Sequence, residues 1–240
     1  ENEVKPEAIK WEADGFIPRE VFKKMGALGF LGITYPTEFG GSEMDVRGSV
    51  VFAEELGKST FSGFAIASLV HTDMASVHLL NAGNLEQKEK YLADIISGNK
   101  ISCVAVTEPH AGSDVKNIRT KAQKVGNKYI INGSKIFITN GVHADIYFVA
   151  AKTSDGLQQS SNITMFIVRK DNPGLIVNKQ LDKHGWRCSD TAELFFQDCE
   201  VREADVLGTL NKGFYAIMQN FQNERLVKGS MAMGEAQAAI

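Results

Sequence analysis

The stretch TEPHAGSD, residues 107–114, combines hydroxyl groups, carboxylates, an imidazole and a glycine directly after the apolar run ISCVAV at 101–106. A strand that ends in this way brings backbone N–H groups and hydroxyls to the edge of a cleft, where they can stabilise negative charge on a bound group. Gly112 leaves room for the backbone to approach a ligand. On its own, the stretch is more typical of a polar turn after a strand, so a second motif has to support the functional interpretation.

The second candidate motif is KIFITN at 135–140, which offers an aromatic face from Phe137 and a hydroxyl from Thr139. A phenylalanine provides a large apolar surface against which a flat ligand can pack. Without further support, FIT in a β-rich segment is typical of ordinary core.

An acidic residue lies on an apolar stripe in the last part of the chain. Phe214, Ile217, Phe221 and Glu224 fall at offsets 0, 3, 7 and 10, which places them on one face of a helix. A charged carboxylate is costly to bury, so the pKa of Glu224 should rise, and such a carboxylate can remove a proton near neutral pH. The alternative is a solvent-exposed ion pair with Lys228, four residues later, and the helical positions alone slightly favour that alternative.

The periodicity of the chain changes twice, and this predicts the elements that must position these residues. Residues 1–100 have helical apolar spacing, residues 101–210 alternate or run as short apolar strands, and helical spacing returns at 211–240. The predicted fold class is therefore α+β and multidomain. It has an N-terminal all-α domain, a middle antiparallel β-barrel or sandwich domain, and the start of a C-terminal helical bundle.

Local signals sharpen this outline. An almost wholly apolar segment at 61–81 predicts an interior helix, and Asn84 begins a capping box at the next helix. Gly126-Asn127 predicts a two-residue hairpin, after which KYIING and KIFITN are predicted as successive strands. SDGLQQSSN at 154–162 predicts a turn between two later strands.

Composition excludes several classes of protein. Lys and Arg number 26 and Asp and Glu number 29, so the net charge of −3 gives no reason to expect binding to nucleic acid or to an anionic membrane. No apolar run is expected to reach the length of a membrane span, and the charged start lacks the apolar segment of a signal peptide. The three cysteines, without CxxC spacing, indicate buried thiols in a reducing compartment. The five histidines lack ligand spacing, so no metal site is predicted.

Several motifs in a fixed order resemble one enzyme family. VTEPxAGSD at 106–114 and IINGSKxFITNG at 130–141 are similar to motifs of the acyl-CoA dehydrogenases, and DTAELFFQDCEV…NKGFYAIMQNFQNERL is similar to their long-chain branch. The resemblance covers nearly the whole chain, and ordered motifs at matching separations are a strong signal. The family's further C-terminal helical domain has no counterpart here, so the chain is expected to be a fragment or the front part of a longer protein.

The resemblance implies an FAD cofactor, α,β-dehydrogenation of acyl-CoA thioesters to trans-2-enoyl-CoA, and a role for each matching residue. Glu224, just before an arginine in a helix similar to FQNERL, is the expected catalytic base. The expected cofactor-binding residues are Val104, Val106, Thr107, Gly112, Ser113, Phe137, Ile138 and Thr139. The expected substrate-binding residues are Ser113, Tyr215, Gln222, Asn223 and Arg225.

Two positions depart from the family pattern. His110 replaces a glycine that is frequent in TEPGAGSD, and it is interpreted as a surface loop residue. Phe137 stands where many relatives have tryptophan, so the apolar face is kept and the indole N–H is lost. For Arg225, contact with the adenosine phosphate and a structural ion pair are both open.

The resemblance also implies partners. The expected electron acceptor is an electron-transfer flavoprotein, and the full-length protein is expected to form a homotetramer. Bacterial cytoplasm and mitochondrial matrix both fit the sequence. Two alternatives stay open: an acyl-CoA oxidase-like enzyme, and a non-catalytic acyl-CoA-binding or protein-binding module.

Overall fold

The computed structural model describes residues 3–153 and 162–240, so the predicted turn at 154–162 lies outside the described residues except for Asn162. The described chain has a helical region, then a sheet, then one long helix. The helices are α1 (Val4–Asp14), α2 (Arg19–Ala27), α3 (Val46–Lys58), α4 (Ser62–Leu69), α5 (Ser76–Ala82), α6 (Leu85–Ile96) and α7 (Gly213–Ala239). A buried π-helical segment, Val70–Ala75, joins α4 to α5.

The predicted interior helix and capping box are both confirmed. Every residue of α4 and of the π-helical segment except Ser62 is buried, because this stretch passes through the middle of the helical core. By length and composition, Ser62–Ala82 could cross a membrane, which corrects the expectation that no run reaches that length; yet 89% of its most apolar window is buried inside the protein. At the start of α6, Asn84 and Gln87 exchange side-chain and backbone hydrogen bonds.

The strands form one sheet of eight. They are β1 (Ser102–Ala105), β2 (Lys121–Val125), β3 (Lys128–Thr139), β4 (Ile146–Lys152), β5 (Ile163–Arg169), β6 (Leu175–Gln180), β7 (Thr191–Arg202) and β8 (Val206–Leu207). Their order is β6-β7-β3-β2-β4-β5-β8, with β1 beside β4. The Gly126-Asn127 hairpin is confirmed, because Val125 pairs with Lys128.

The fold class is confirmed, and the sheet differs in detail from the predicted antiparallel barrel or sandwich. Strand β1 enters from the helical region and pairs parallel with β4, so the sheet is mixed. In the described chain its path from β6 to β8 does not close. KYIING and KIFIT belong to the single strand β3, so the prediction of two successive strands was wrong. Gly133 (φ 151°) allows β3 to pass close to Thr120. A Cβ at this position would lie 2.5 Å from Oγ1 of Thr120.

Helix α7 lies directly against α3 at two glycines. A Cβ on Gly234 would lie 2.0 Å from the carbonyl oxygen of Glu54, and one on Gly57 would lie 2.1 Å from the carbonyl oxygen of Met231. Backbone therefore packs on backbone at both points. This contact fixes the position of α7 against the helical region.

Gly234→Ala should lower the free energy of unfolding by about 1–3 kcal/mol, because the added methyl group forces the two helices apart. Gly229→Ala on the same helix is the matched control, since no atom lies within 4 Å of its Cβ position. That control should be stabilising by up to about 1 kcal/mol through helix propensity. Denaturant unfolding measures both, and equal effects of the two substitutions would contradict the packing.

Candidate functional site

The TEPHAGSD stretch forms a tight turn just after β1. Glu108 and Ala111 exchange both backbone hydrogen bonds, at 2.9 and 3.0 Å. The Glu108 carboxylate is 3% exposed and accepts the backbone N–H groups of Arg119, at 2.5 Å, and Thr120, at 2.9 Å. The buried carboxylate of Glu108, near the start of this loop, thus holds the chain at Arg119 and Thr120, just before β2. His110 is exposed, as predicted, with Nε2 3.3 Å from Glu108 Oε2.

A buried ion pair joins the two motifs. Lys135 is completely buried and donates to Glu108 Oε1 at 2.8 Å and to the carbonyl oxygen of Val106 at 2.9 Å. Burial lowers the pKa of Lys135 to about 8. Burial acts to raise the pKa of Glu108, but Lys135 and the loop's N–H groups outweigh it and hold that pKa below its usual value. Both groups are therefore charged at neutral pH.

Phe137 is presented to solvent by a bulge. The pairing of β3 with β7 shifts register between Lys135 and Ile138, and Phe137 has a left-handed φ of 61°. Its side chain is 64% exposed although large and apolar. Ile136 next to it donates its N–H to the carbonyl oxygen of Thr107 at 3.0 Å, so the bulge lies beside the first motif. Strained bulges of this kind re-aim side chains at functional sites.

Three hydroxyl groups of the two motifs have no hydrogen-bond partner among the described residues. Thr107 and Thr139 are half-buried, and Ser113 is exposed. None of the three side chains forms a hydrogen bond with another described residue. Gly112 has no atom within 4 Å of its Cβ position, so space is open beside the loop. Val104, Val106 and Ile138 instead lie within the sheet, half-buried or buried, and contribute mainly backbone.

The loop after β3 is held by the buried Asp190. Its Oδ1 accepts the N–H of Val142 at 2.7 Å, and its carbonyl oxygen accepts the N–H of Asn140 at 3.0 Å. Asp190 is 6% exposed, and burial raises its pKa to about 6. Asn140 in turn donates to the carbonyl oxygen of Ala67 on α4 at 2.9 Å. The end of β3 is thereby tied to the helical region.

Glu224 lies half-buried on α7, on the same face as the fully buried Ile217. Burial raises the pKa of Glu224 to about 7, against the smaller opposing effects of Asn220 and Arg225, so the predicted rise is confirmed. The alternative ion pair between Glu224 and Lys228 is not formed. The Lys228 ammonium lies 4.2 Å from the ring centroid of Trp186 instead.

The structure connects Glu224 and the two motifs through shared neighbours. Lys116, just after the TEPHAGSD loop, lies 5.3 Å from the ring centroid of Phe214 in the first turn of α7. The π-helical segment contacts β1, because His71 Nδ1 accepts the N–H of Ser102 at 3.1 Å. The same segment accepts side-chain hydrogen bonds from α7. No hydrogen bond joins Glu224 directly to Thr107 or Phe137.

The predicted substrate-binding residues on α7 divide into two groups. Tyr215, Gln222 and Arg225 are exposed, and Arg225 forms no salt bridge with a described residue. Asn223 faces inward and donates to the carbonyl oxygen of Asp73 at 3.2 Å. The structure therefore brings Asn223 and Glu224 to the buried side of the helix and leaves the other three outside.

A large cavity of the described chain lies elsewhere. Its volume is 1310 Å³, and it is lined mainly by apolar side chains of α1, α2, α3 and the segment between α2 and α3. It contains none of the predicted site residues. The site is therefore recognised from its polar groups and its exposed phenylalanine, since the cavity does not mark it.

Sequence reasoning missed Glu108, Lys135 and Asn220. Lys135 could have been found as a cation directly before the apolar residues Ile136, Phe137 and Ile138. Asn220 could have been found as a polar residue between Ile217 and Phe221. A charged or amide group in an apolar run needs a buried partner. The partner itself could not be found, because it lies far away in the chain.

Two family models match the chain. The acyl-CoA dehydrogenase N-terminal domain matches residues 1–99, and the acyl-CoA dehydrogenase middle domain matches residues 103–199.

Similar proteins support these matches. A mitochondrial isovaleryl-CoA dehydrogenase of Pongo abelii is 44% identical over 92% of this chain and 52% of its own length. A mitochondrial long-chain specific acyl-CoA dehydrogenase of Mus musculus is 38% identical over 97% of this chain and 54% of its own length. The structure of a Bacillus anthracis acyl-CoA dehydrogenase complexed with FAD superposes with a TM-score of 0.89 at 33% identity, covering 97% of this chain and 39% of that one. The chain thus spans about half the length of these curated relatives.

Proposed function

Because the chain belongs to the acyl-CoA dehydrogenase family, of which it carries the N-terminal and middle domains, we propose that it is part of a flavin-dependent enzyme that oxidises acyl-CoA thioesters to trans-2-enoyl-CoA. The observation that carries this proposal is Glu224, a half-buried carboxylate with a pKa of about 7 on an apolar helical face. A base with this pKa is ionised in part at neutral pH and still basic enough to take a weakly acidic proton.

The rim formed by the two motifs fits FAD. An isoalloxazine ring needs an apolar face and hydrogen-bond donors along its edge. Phe137 offers the apolar face, and Thr107, Ser113 and Thr139 offer hydroxyls that no described protein group occupies. FAD, when bound, supplies the hydride acceptor for the reaction.

The other steps of the proposed reaction depend on residues of this chain. Glu224 removes the α-proton of the thioester, and its apolar surroundings exclude water and keep the carboxylate basic. Ser113 is exposed next to Gly112, whose Cβ position is open, and we propose that it contacts both the cofactor and the acyl-CoA. The Glu108–Lys135 pair holds the loop and the bulge in one arrangement, so the donors are in place before the substrate binds.

The finer partners are part of the same proposal. The full-length protein would pass electrons to an electron-transfer flavoprotein and assemble as a homotetramer. Relatives named for isovaleryl-CoA and for long-chain substrates are both similar to this chain, so acyl length is left to measurement.

Anaerobic titration of the FAD-loaded, full-length protein with saturated acyl-CoAs of graded length tests the proposal. Bleaching of the flavin absorbance by one or more of them is the expected result, and the length that bleaches fastest defines the substrate class. Peroxide released on turnover in air would identify the oxidase alternative. A protein that binds FAD and acyl-CoA without bleaching would refute dehydrogenation and favour a binding module.

Phe137→Ala should reduce FAD affinity by about tenfold, since a buried aromatic contact is worth about 1.5 kcal/mol. The free energy of unfolding of the apoprotein should change by less than about 0.5 kcal/mol, because an exposed side chain packs on little. Flavin fluorescence and apoprotein unfolding measure the two effects. Tyr215→Ala, at a second exposed aromatic on α7, is the control and should leave FAD affinity unchanged. A large loss of apoprotein stability in Phe137→Ala would show that Phe137 is structural.

A further inference from the structure

Asn220 lies one helical turn before Glu224, at a position that the catalytic proposal does not use. It is 3% exposed, and its Nδ2 donates to Glu224 Oε1 at 2.8 Å and to the carbonyl oxygen of Met74 at 3.1 Å. Residues four apart lie on the same helical face, so the first contact is local. The second joins α7 to the π-helical segment.

The orientation of the carboxamide follows from its partners. Both partners, the Met74 carbonyl and the Glu224 carboxylate, are acceptors, so both need the NH₂ group. A rotated amide would set its own oxygen against two acceptors. Only the orientation with the NH₂ group toward Met74 and Glu224 makes both hydrogen bonds, and it links Oε1 to the main chain at Met74.

The π-helical segment that accepts this contact lies in the protein interior. All six of its residues are buried. The neighbouring carbonyl of Asp73 accepts the side chain of Asn223, so two amides one turn apart dock α7 on consecutive carbonyls of the segment. Single-turn π-helical segments inside α-helices are frequent at functional sites.

We propose that Asn220 is the positioning residue of Glu224, and that its carboxamide clamps Oε1 of the base to the carbonyl of Met74. This inference rests on the proposed function of Glu224. A hydrogen bond donated to the carboxylate favours its charged form, so the clamp also opposes the effect of burial on the base.

Few other charges act on this carboxylate. On its own helix Arg225 favours the ionised form, whereas the Lys228 ammonium lies over the Trp186 ring. The elements packed on α7 carry several further titratable groups. They are His71 and Asp73 in the π-helical segment, His78 on α5, Arg47, Glu54, Glu55 and Lys58 on α3, and Arg169 on β5. None of these contributes to the raised pKa of Glu224.

The test is an infrared pH titration of the Glu224 carboxylate, with Glu224→Gln subtracted to isolate its bands. Asn220→Leu removes the donor at nearly constant volume and should raise the midpoint by about one pH unit. Asn220→Ala is the second variant in case the first does not fold. The matched control, Asn223→Leu, removes the other amide contact with the π-helical segment and should leave the midpoint unchanged.

A kinetic measurement separates positioning from a change in basicity. At alkaline pH, where Glu224 is ionised in every variant, flavin bleaching by Asn220→Leu should still be slower by about 10–100-fold, with little change in KM. An unmoved midpoint in both Asn220 variants, or an equal shift in Asn223→Leu, would overturn the clamp. If Glu224→Gln bleaches normally, the catalytic proposal fails, while the infrared midpoint still decides whether Asn220 holds the carboxylate.

Discussion

Glu224→Gln in the FAD-loaded, full-length protein should bind acyl-CoA with nearly unchanged affinity and bleach the flavin about 10²–10⁴-fold more slowly. The amide keeps the shape of the side chain and loses the ability to accept the α-proton. The half-buried position of Glu224 on the face of Ile217 leaves the substitution little else to disturb. Stopped-flow absorbance after anaerobic mixing measures the rate, and equilibrium titration measures the affinity.

The same measurement has an internal control on the same helix. Glu235→Gln changes another half-buried glutamate of α7, three turns further on, and should bleach at the normal rate. Equal losses in both variants would mean that the helix, and not the base, was damaged. Normal bleaching by Glu224→Gln would remove Glu224 from the mechanism.

The rate should also depend on pH in the direction set by Glu224. Burial raises its pKa to about 7, and only the ionised carboxylate can act as a base. The bleaching rate should therefore rise with pH through a midpoint near this pKa and then level off. A profile that falls over this range would contradict the assignment.

Lys135→Met should lower the free energy of unfolding by about 3–5 kcal/mol, because it leaves the Glu108 carboxylate buried without its cation. Lys135 is fully buried and Glu108 is 3% exposed, so water cannot replace the lost partner. The loss should be largest near neutral pH. In the wild type the pKa of Glu108 is lowered, so the stabilisation by this pair is present above the unfolded pKa of roughly 4.3 and is lost as the pH falls.

The double variant Glu108→Gln/Lys135→Met is the control for Lys135→Met. It removes the uncompensated charge and should recover a large part of the lost stability, since a pair replaced as a whole costs far less than a broken one. Denaturant unfolding of the wild type, both single variants and the double variant gives the coupling free energy between Glu108 and Lys135. If the double variant is less stable than Lys135→Met alone, the penalty does not come from an unpaired carboxylate.

The sequence by itself determined the features that depend on neighbouring residues. The capping box at Asn84, the hairpin at Gly126-Asn127, the buried helix at 61–81 and the apolar face of α7 were all predicted, because each is set by local spacing and turn chemistry. Ordered motifs also sufficed for the family. The raised pKa of Glu224 was predicted because burial on an apolar stripe disfavours a charged carboxylate. The helical positions alone slightly favoured an exposed pair with Lys228, and the family resemblance decided between the two.

Only the tertiary structure decided which distant groups meet. Lys135 and Glu108 are 27 residues apart, and Asn220 and Met74 are 146 apart, so no local pattern joins them. The bulge that exposes Phe137 and the parallel pairing of β1 with β4 likewise depend on neighbouring strands. The physical reason is the same in each case. A buried polar group or an irregular strand is stabilised by a partner that the fold brings near. The amino-acid pattern indicates that such a partner is required, but it does not indicate which distant residue the partner is.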